Sequence, residues 1–164
     1  MFSNLSPFTK LHVVLSLIGI VSGLVVMFGL LVGQKLNRWS ALFLISTALT
    51  SVTGFFFPFH GVTPAMVVGL ISVVLLAVAI VARYARHLAG AWRWIYVVSA
   101  MIALYLNVFV LVVQLFQKVP ALKALAPTQS EPPFAVTQLV VLALFVLLTI
   151  IAAITFRGDQ LRRT

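Results

Sequence analysis

The chain has 164 residues, enough for one domain, and 63% of them are hydrophobic while only 8% are charged. A soluble domain has about a quarter of its residues charged, and a core of this size cannot enclose so much apolar surface, so the composition excludes a water-soluble globule and a disordered chain. The 11 Lys and Arg against 2 Asp and Glu give a net charge of +9, and the lack of cysteine excludes disulfides, thiolate metal sites and cysteine nucleophiles.

Five apolar stretches are long enough to cross a bilayer as helices. About 20 apolar residues, each rising about 1.5 Å, span the hydrocarbon core. Thr63 followed by Pro64 is a helix start signal for the third stretch. The stretches are residues 11–32, 39–57, 64–82, 92–116 and 134–156, with a proline-rich outer loop at 117–133. The sequence predicts one all-α domain, 1–164, that forms an integral membrane bundle of five transmembrane helices.

The basic residues predict how this bundle is oriented, because cytoplasmic loops carry an excess of Lys and Arg. With the N-terminus outside, the inner side has eight of them and the outer side three; the inverted chain reverses these numbers. The eight are Lys35, Arg38, Arg83, Arg86, Arg93, Arg157, Arg162 and Arg163, and the three are Lys10, Lys118 and Lys123. We therefore expect the N-terminus outside and the C-terminus in the cytoplasm, in the cell inner membrane.

Polar side chains within the predicted spans lie mostly in their outer halves. Hydrocarbon offers no hydrogen-bond partners, so such groups face protein or a watery cavity. One interpretation is an outward-opening polar pocket lined by the second, fourth and fifth spans. The other is hydrogen bonding between helices, such as Gln114 to Gln138, worth about 0.6 kcal/mol per pair. The residues concerned are Thr50, Ser51, Thr53, Asn107, Gln114 and Gln138.

Two pairs of glycines four residues apart occur in the first span, Gly19 with Gly23 and Gly29 with Gly33. This spacing lets two helix backbones approach closely. The pairs therefore indicate either an interface with a second copy or a partner membrane subunit, or packing against another helix of the same chain.

Two of the three histidines are predicted to lie on the outer side. His12 and His60 are candidate axial ligands of an outer haem, and the alternative is that each is a hydrated side chain at the membrane edge. His87 is predicted on the inner side, so it cannot share their site. No carboxylate accompanies the outer pair, so metal catalysis is not expected. Apart from such a haem, the sequence predicts no cofactor and no metal.

The segment between the third and fourth predicted spans is rich in arginine. Arg83, Arg86 and His87 are predicted to share one helical face, with Arg93 close by. We expect the three arginines to bind anionic lipid headgroups, at about 1 kcal/mol per basic residue, or to serve as unspecific anchors whose charged ends reach the interface. Because these cations are spread along a membrane surface, nucleic-acid binding is not expected.

Enzyme activity is not expected, because the spans contain no acid and the chain lacks a plausible catalytic constellation. Three functions remain: a non-catalytic subunit or scaffold of a homo- or hetero-oligomeric membrane complex, a passive channel or carrier for a small neutral solute, and a haem-binding electron-transfer protein. Glu131 is the only acid on the predicted outer face, and the outer loop around it is either a partner contact or a cover for the bundle.

The stretches FFFPFHG, ALYLNVFVLVVQ and APTQSEPPF resemble segments of small bacterial multi-pass inner-membrane proteins. The resemblance covers most of the chain. It implies a location in the bacterial cytoplasmic membrane, and it implies no particular activity, substrate or site.

Overall fold

The computed structural model describes residues 6–57 and 64–156, with the backbone only at 64 and 65, and every regular element within them is helical. The all-α prediction is therefore confirmed. The helices are α1 (Pro7–Leu31), α2 (Asn37–Gly54), α3 (Pro64–Ile80), α4 (Trp92–Lys118), α5 (Pro120–Leu125) and α6 (Pro132–Thr155). Within the described residues, four helical stretches are long and apolar enough to cross a membrane: α1, α4, α6 and Met66–Ala85, which contains most of α3. This is the make-up of a multi-pass membrane protein.

The helices differ from the predicted spans mainly at their ends. α1 begins at Pro7 rather than at residue 11, because the Ser6 hydroxyl accepts a hydrogen bond from the Thr9 N–H at 3.2 Å and caps the helix. α6 begins at Pro132, two residues early, since proline fits the first turn of a helix. α2 ends at Gly54, three residues before the end of the predicted span.

α1 and α2 pack as an antiparallel pair along the whole length of α2. The contacts run from His12 with Thr53, through Gly19 with Thr47 and Gly23 with Phe43, to Gly29 with Leu36. The glycines allow this close approach: a Cβ atom on Gly23 would lie 2.5 Å from Leu104 Cδ1 and 2.9 Å from the Phe43 ring. Gly19, Gly23 and Gly29 therefore contact residues of the same chain.

Gly33, just after α1, has a different role from the three glycines within α1. Its φ is +71°, a left-handed conformation that favours glycine. The next residue, Gln34, donates its N–H to the Gly29 carbonyl at 2.7 Å. Gly33 therefore ends α1 and turns the chain into α2.

α3 continues into one π-helical turn, Val81–Ala85. Within it, Arg86 N–H donates to the Val81 carbonyl five residues back, at 2.9 Å. His87 and Leu88 then adopt φ of 49° and 57°, and the helix ends. The wider turn separates residues that an ideal α-helix would align. As a result, Arg83 is buried while Arg86 and His87 are exposed. The prediction that these three residues share one helix face is therefore wrong.

α4 and α6 pack antiparallel through aromatic residues. Tyr105 meets Phe145 with ring centroids 5.7 Å apart, and Phe116 meets Phe134 at 5.4 Å. The predicted outer loop contains the short helix α5, and Ala126, which follows α5, is fully buried against this pair. The loop is therefore folded onto the ends of α4 and α6.

The antiparallel order creates two ends of the bundle. The arginine end comprises residues 33–40, 81–96 and 155–156, and the proline-loop end comprises residues 6–12, 53–57 and 116–134. Of the described basic residues, Lys35, Arg38, Arg83, Arg86 and Arg93 lie at the arginine end, and Lys10, Lys118 and Lys123 lie at the proline-loop end. The larger core cluster lies in the half near the arginine end, and a smaller one of Val112, Phe116 and Ala126 lies at the other.

We predict that Gly23→Ala destabilises the bundle by about 1 kcal/mol. The new methyl group would clash with Phe43 and Leu104, each only 1% exposed, and overpacking costs about 1–3 kcal/mol, partly offset by the better helix propensity of alanine. The measurement is the free energy of unfolding in mixed detergent micelles. Gly54→Ala is the control, because its Cβ would have ordinary contacts at 3.6 Å; equal effects of the two substitutions would contradict the prediction.

Candidate functional site

The central polar contact joins three helices near the middle of the bundle. Asn107 of α4 donates from Nδ2 to Thr47 Oγ1 of α2 at 3.2 Å. Gly19 of α1 lies against both: a Cβ there would be 2.9 Å from Thr47 Oγ1 and 3.6 Å from Asn107 Nδ2. Thr47 is fully buried and Asn107 is half-buried. The contact therefore ties α2 to α4 where α1 approaches both most closely.

A second contact lies at the proline-loop end. His12 Nδ1 of α1 is 2.8 Å from Thr53 Oγ1 of α2. The Thr53 hydroxyl is also within 2.7 Å of the Leu49 carbonyl, to which it donates. The His12 ring meets the Phe57 ring edge-on, with centroids 5.1 Å apart. His60, the other predicted haem ligand, lies outside the described residues, so His12 is seen here only as a contact between α1 and α2.

A third contact joins α4 and α6. Gln138 donates from Nε2 to the Phe109 carbonyl at 3.3 Å, and its side chain is largely buried. Gln114 is exposed and makes no hydrogen bond with the described residues. The structure therefore does not bring Gln114 and Gln138 together, although the sequence analysis considered them as a pair.

The six residues of the predicted pocket are spread over α2, α4 and α6. Asn107, Thr53 and Gln138 each belong to a different contact, and Ser51 is buried within α2. Two buried side-chain atoms have no hydrogen-bond partner among the described residues, Thr50 Oγ1 and Gln138 Oε1. Asn107, Thr53 and Gln138 therefore each connect two neighbouring helices.

A groove of about 350 Å³ runs between α2 and α3, and its lining is almost entirely apolar. It is lined by Ala41, Leu44, Ile45, Ala48, Leu49, Ile80 and Tyr84. None of the predicted pocket residues contributes to it. Such a groove suits an acyl chain better than a polar solute.

A fourth polar contact, at the arginine end, was not predicted. Arg83 is only 7% exposed and donates from Nη2 to Asn37 Oδ1 of α2 at 2.7 Å. Its guanidinium carbon lies 5.1 Å from the centre of the Tyr96 ring, a cation–π distance. Tyr96 is fully buried and donates its hydroxyl to Ser40 Oγ at 3.2 Å. Asn37 and Ser40 are three residues apart on α2, a spacing that marks one helix face, but no signal in the sequence indicated that Arg83 turns inward.

The other two predicted headgroup arginines lie against tryptophans. Arg86 is exposed, and its guanidinium carbon is 5.1 Å from the centre of the Trp92 ring; Arg93 lies 5.2 Å from that of Trp94. Tryptophan is enriched where membrane meets water. Arg86 and Arg93 are therefore each within cation–π distance of a tryptophan ring.

Glu131 stabilises the conformation of the proline-rich loop at 117–133. Its carboxylate accepts hydrogen bonds from the N–H and hydroxyl of Thr128, at 3.2 and 2.9 Å, and from the Ser130 N–H at 3.1 Å. Desolvation raises the pKa of Glu131, but the hydrogen bonds from its own backbone, Thr128 and Ser130 together outweigh it, so the pKa lies below its ordinary value. Gln129 anchors the loop to α4 by donating to the Val113 carbonyl at 2.9 Å. The Glu131 carboxylate is therefore hydrogen-bonded to residues of its own loop.

In comparisons with protein-family models, with curated proteins and with solved structures, nothing matches this chain. Any functional proposal therefore depends on the residues and contacts described above.

We predict a coupling energy between Thr47 and Asn107 of about 0.6 kcal/mol, the average for such contacts within membranes. Thr47→Val and Asn107→Leu each remove the hydrogen bond, so the double variant should lose less stability than the sum of the two. The measurement is a double-mutant cycle of unfolding free energies in detergent. Gln114→Leu, at an exposed position without a partner, serves as the control and should not destabilise the protein; strict additivity of Thr47→Val and Asn107→Leu would contradict the prediction.

Proposed function

We propose that this chain is a non-catalytic integral membrane protein that serves as a subunit or scaffold of a homo- or hetero-oligomeric complex in the bacterial inner membrane. In this proposal it crosses the bilayer five times, with the N-terminus outside and the C-terminus in the cytoplasm.

The fifth crossing concerns α2, the least apolar of the long helices. Its 18 residues, at about 1.5 Å each, measure about 27 Å, close to the thickness of a hydrocarbon core. It lies antiparallel to α1 from Leu36 to Thr53, and several of its polar side chains face inward, with Ser40, Ser46, Thr47 and Ser51 buried. A helix that shields its hydroxyls in this way can lie beside α1 across the same bilayer.

The orientation is supported by the distribution of charge over the two ends. The arginine end has five of the described basic residues and the proline-loop end has three. The excess marks the arginine end as cytoplasmic under the positive-inside rule. Trp92 and Trp94 at the same end suit the membrane interface.

One observation above all supports the role as a subunit: the Tyr105 hydroxyl, midway along α4, makes no hydrogen bond with any described residue. Tyr105 is only half-buried, and its ring packs on Phe145 of α6. A hydroxyl at the middle of a bilayer has no water or lipid partner, whereas a neighbouring subunit can provide one. α6 packs beside Tyr105, and only 6% of its most apolar 18-residue stretch is buried, compared with 44% of the corresponding stretches of α1 and α4. The surface of α6 is therefore open to lipid or to a second membrane protein.

We predict that Tyr105→Phe weakens the assembly about threefold to tenfold, because it removes one intersubunit hydrogen bond of about 0.6–1.4 kcal/mol. The measurement is the mass distribution of the affinity-purified protein in mild detergent, by native mass spectrometry. Tyr84→Phe is the control, because Tyr84 is exposed at the arginine end. A wild-type chain that is monomeric and without a stoichiometric partner would contradict the proposed function.

A further inference from the structure

Arg83 is a cation that the fold buries without an acidic partner among the described residues. Its side chain is 7% exposed. The neutral Asn37 amide at 2.7 Å and the Tyr96 ring at 5.1 Å stabilise it partly. Burying a charge costs several kcal/mol unless an opposite charge compensates it. Arg83 is therefore a buried positive charge that a bound anion would stabilise.

The described part of the chain offers no acid at the arginine end. It contains two acids, Glu131 and Asp159. Glu131 lies at the opposite end of the bundle, where Thr128 and Ser130 engage its carboxylate. Asp159 lies outside the described residues, and an Asp159→Asn variant tests whether its carboxylate compensates the charge of Arg83.

The partner of the Arg83 guanidinium lies at the surface of the bundle. It carries five N–H groups, and one nitrogen, Nη2, bonds to Asn37. No nitrogen of Arg83 is among the fully enclosed, unpartnered polar atoms of the described chain, which are Thr50 Oγ1 and Gln138 Oε1. Because Asn37 is itself exposed, the bond between the two side chains lies next to the surface, and we call this point the opening.

The surroundings of the opening belong to the membrane interface. Tyr84 is exposed beside Arg83, with its ring centre 5.9 Å from the guanidinium carbon. Arg86 is exposed three residues later and lies over Trp92. The apolar groove between α2 and α3 is lined by Ile80 and Tyr84 and so borders this region. A cationic opening next to an apolar groove matches a ligand with an anionic head and an acyl tail.

We propose that the arginine end binds one anionic phospholipid through its phosphate group. Arg83 donates to the phosphate oxygens, because a guanidinium fork matches phosphate geometry, and Arg86 adds a second positive charge. The π-helical turn directs Arg83 inward to this position, and such turns are frequent at functional sites. The inference depends on the proposed location in a bilayer and is independent of the role as a subunit.

The test measures lipid binding to the purified full-length chain in mild detergent. Phosphatidylglycerol, phosphatidylcholine or inorganic phosphate is added, and both the retained lipid and the shift in unfolding temperature are recorded. We expect the wild type to retain one phosphatidylglycerol and to gain stability from it. Phosphatidylcholine, which is zwitterionic, and inorganic phosphate, which lacks the acyl chains, should have smaller effects.

Arg83→Met should weaken phosphatidylglycerol binding about tenfold and abolish the shift in unfolding temperature. Without lipid it should unfold at the same or a higher temperature than the wild type, since the uncompensated charge is gone. Arg38→Met removes the same charge from an exposed position at the same end and should retain the lipid. Asp159→Asn should also leave binding unchanged. If Arg83→Met fails to fold, Arg83→Lys is used instead. This variant keeps the positive charge but lacks the guanidinium fork, so it should bind phosphatidylglycerol weakly.

Several results would overturn the proposal. An unchanged lipid shift in Arg83→Met, together with a lower unfolding temperature without lipid, would make Arg83 only a structural tie between helices. An equal response to inorganic phosphate would assign the site to a free anion, and a large effect of Asp159→Asn would assign the counter-charge to the chain itself. The same mass spectra report the oligomer, so a monomer that still retains phosphatidylglycerol would refute the subunit role and leave this inference intact.

Discussion

The inability of hydrocarbon to form hydrogen bonds is the constraint on which this structure depends. Each polar side chain in the bundle must find a partner in the chain, or face a subunit, lipid headgroup or water. Asn107 is hydrogen-bonded to Thr47, and His12 is hydrogen-bonded to Thr53. Among the described residues, Thr50 Oγ1, Gln138 Oε1 and the Tyr105 hydroxyl have no hydrogen-bond partner, and the buried Arg83 has no acidic partner. The proposed subunit role rests on Tyr105, and the proposed lipid site rests on Arg83.

Small residues make the polar partnerships possible. Gly19 lets α1 approach Thr47 and Asn107, and Gly23 lets it contact Phe43 and Leu104. The hydroxyls of α2 are further satisfied within the helix: Ser46, for example, donates to the Leu42 carbonyl at 2.7 Å, a local bond that suits serine in a membrane helix. A helix of modest hydropathy can thereby pack closely against α1 on one face while apolar side chains such as Ile45 are exposed on the other.

The sequence predicts the helices well because the length of an apolar stretch is a strong, local signal. It predicts their ends less well, since one capping side chain, such as Ser6, moves a boundary by several residues. A sequence-based prediction also assigns side chains to one helix face by ideal helix spacing. This assignment is wrong where the rotation of a helix or a π-helical turn changes which side chains face the interior. Gln114 and Gln138 lie at a similar predicted depth yet do not meet, and Arg83 lies inside the bundle while Arg86, three residues later, lies outside.

The central claim is that five crossings place the arginine end in the cytoplasm, and the natural lack of cysteine allows a direct test by single-cysteine labelling. Gln34→Cys reports on the α1–α2 turn, Phe56→Cys on the end of α2, and Ser130→Cys on the outer loop. In intact cells, an impermeant maleimide should label positions 56 and 130 and should reach position 34 only after the membrane is opened. Labelling of 34 from outside would contradict the orientation, and labelling of 34 and 56 from the same side would contradict the crossing by α2.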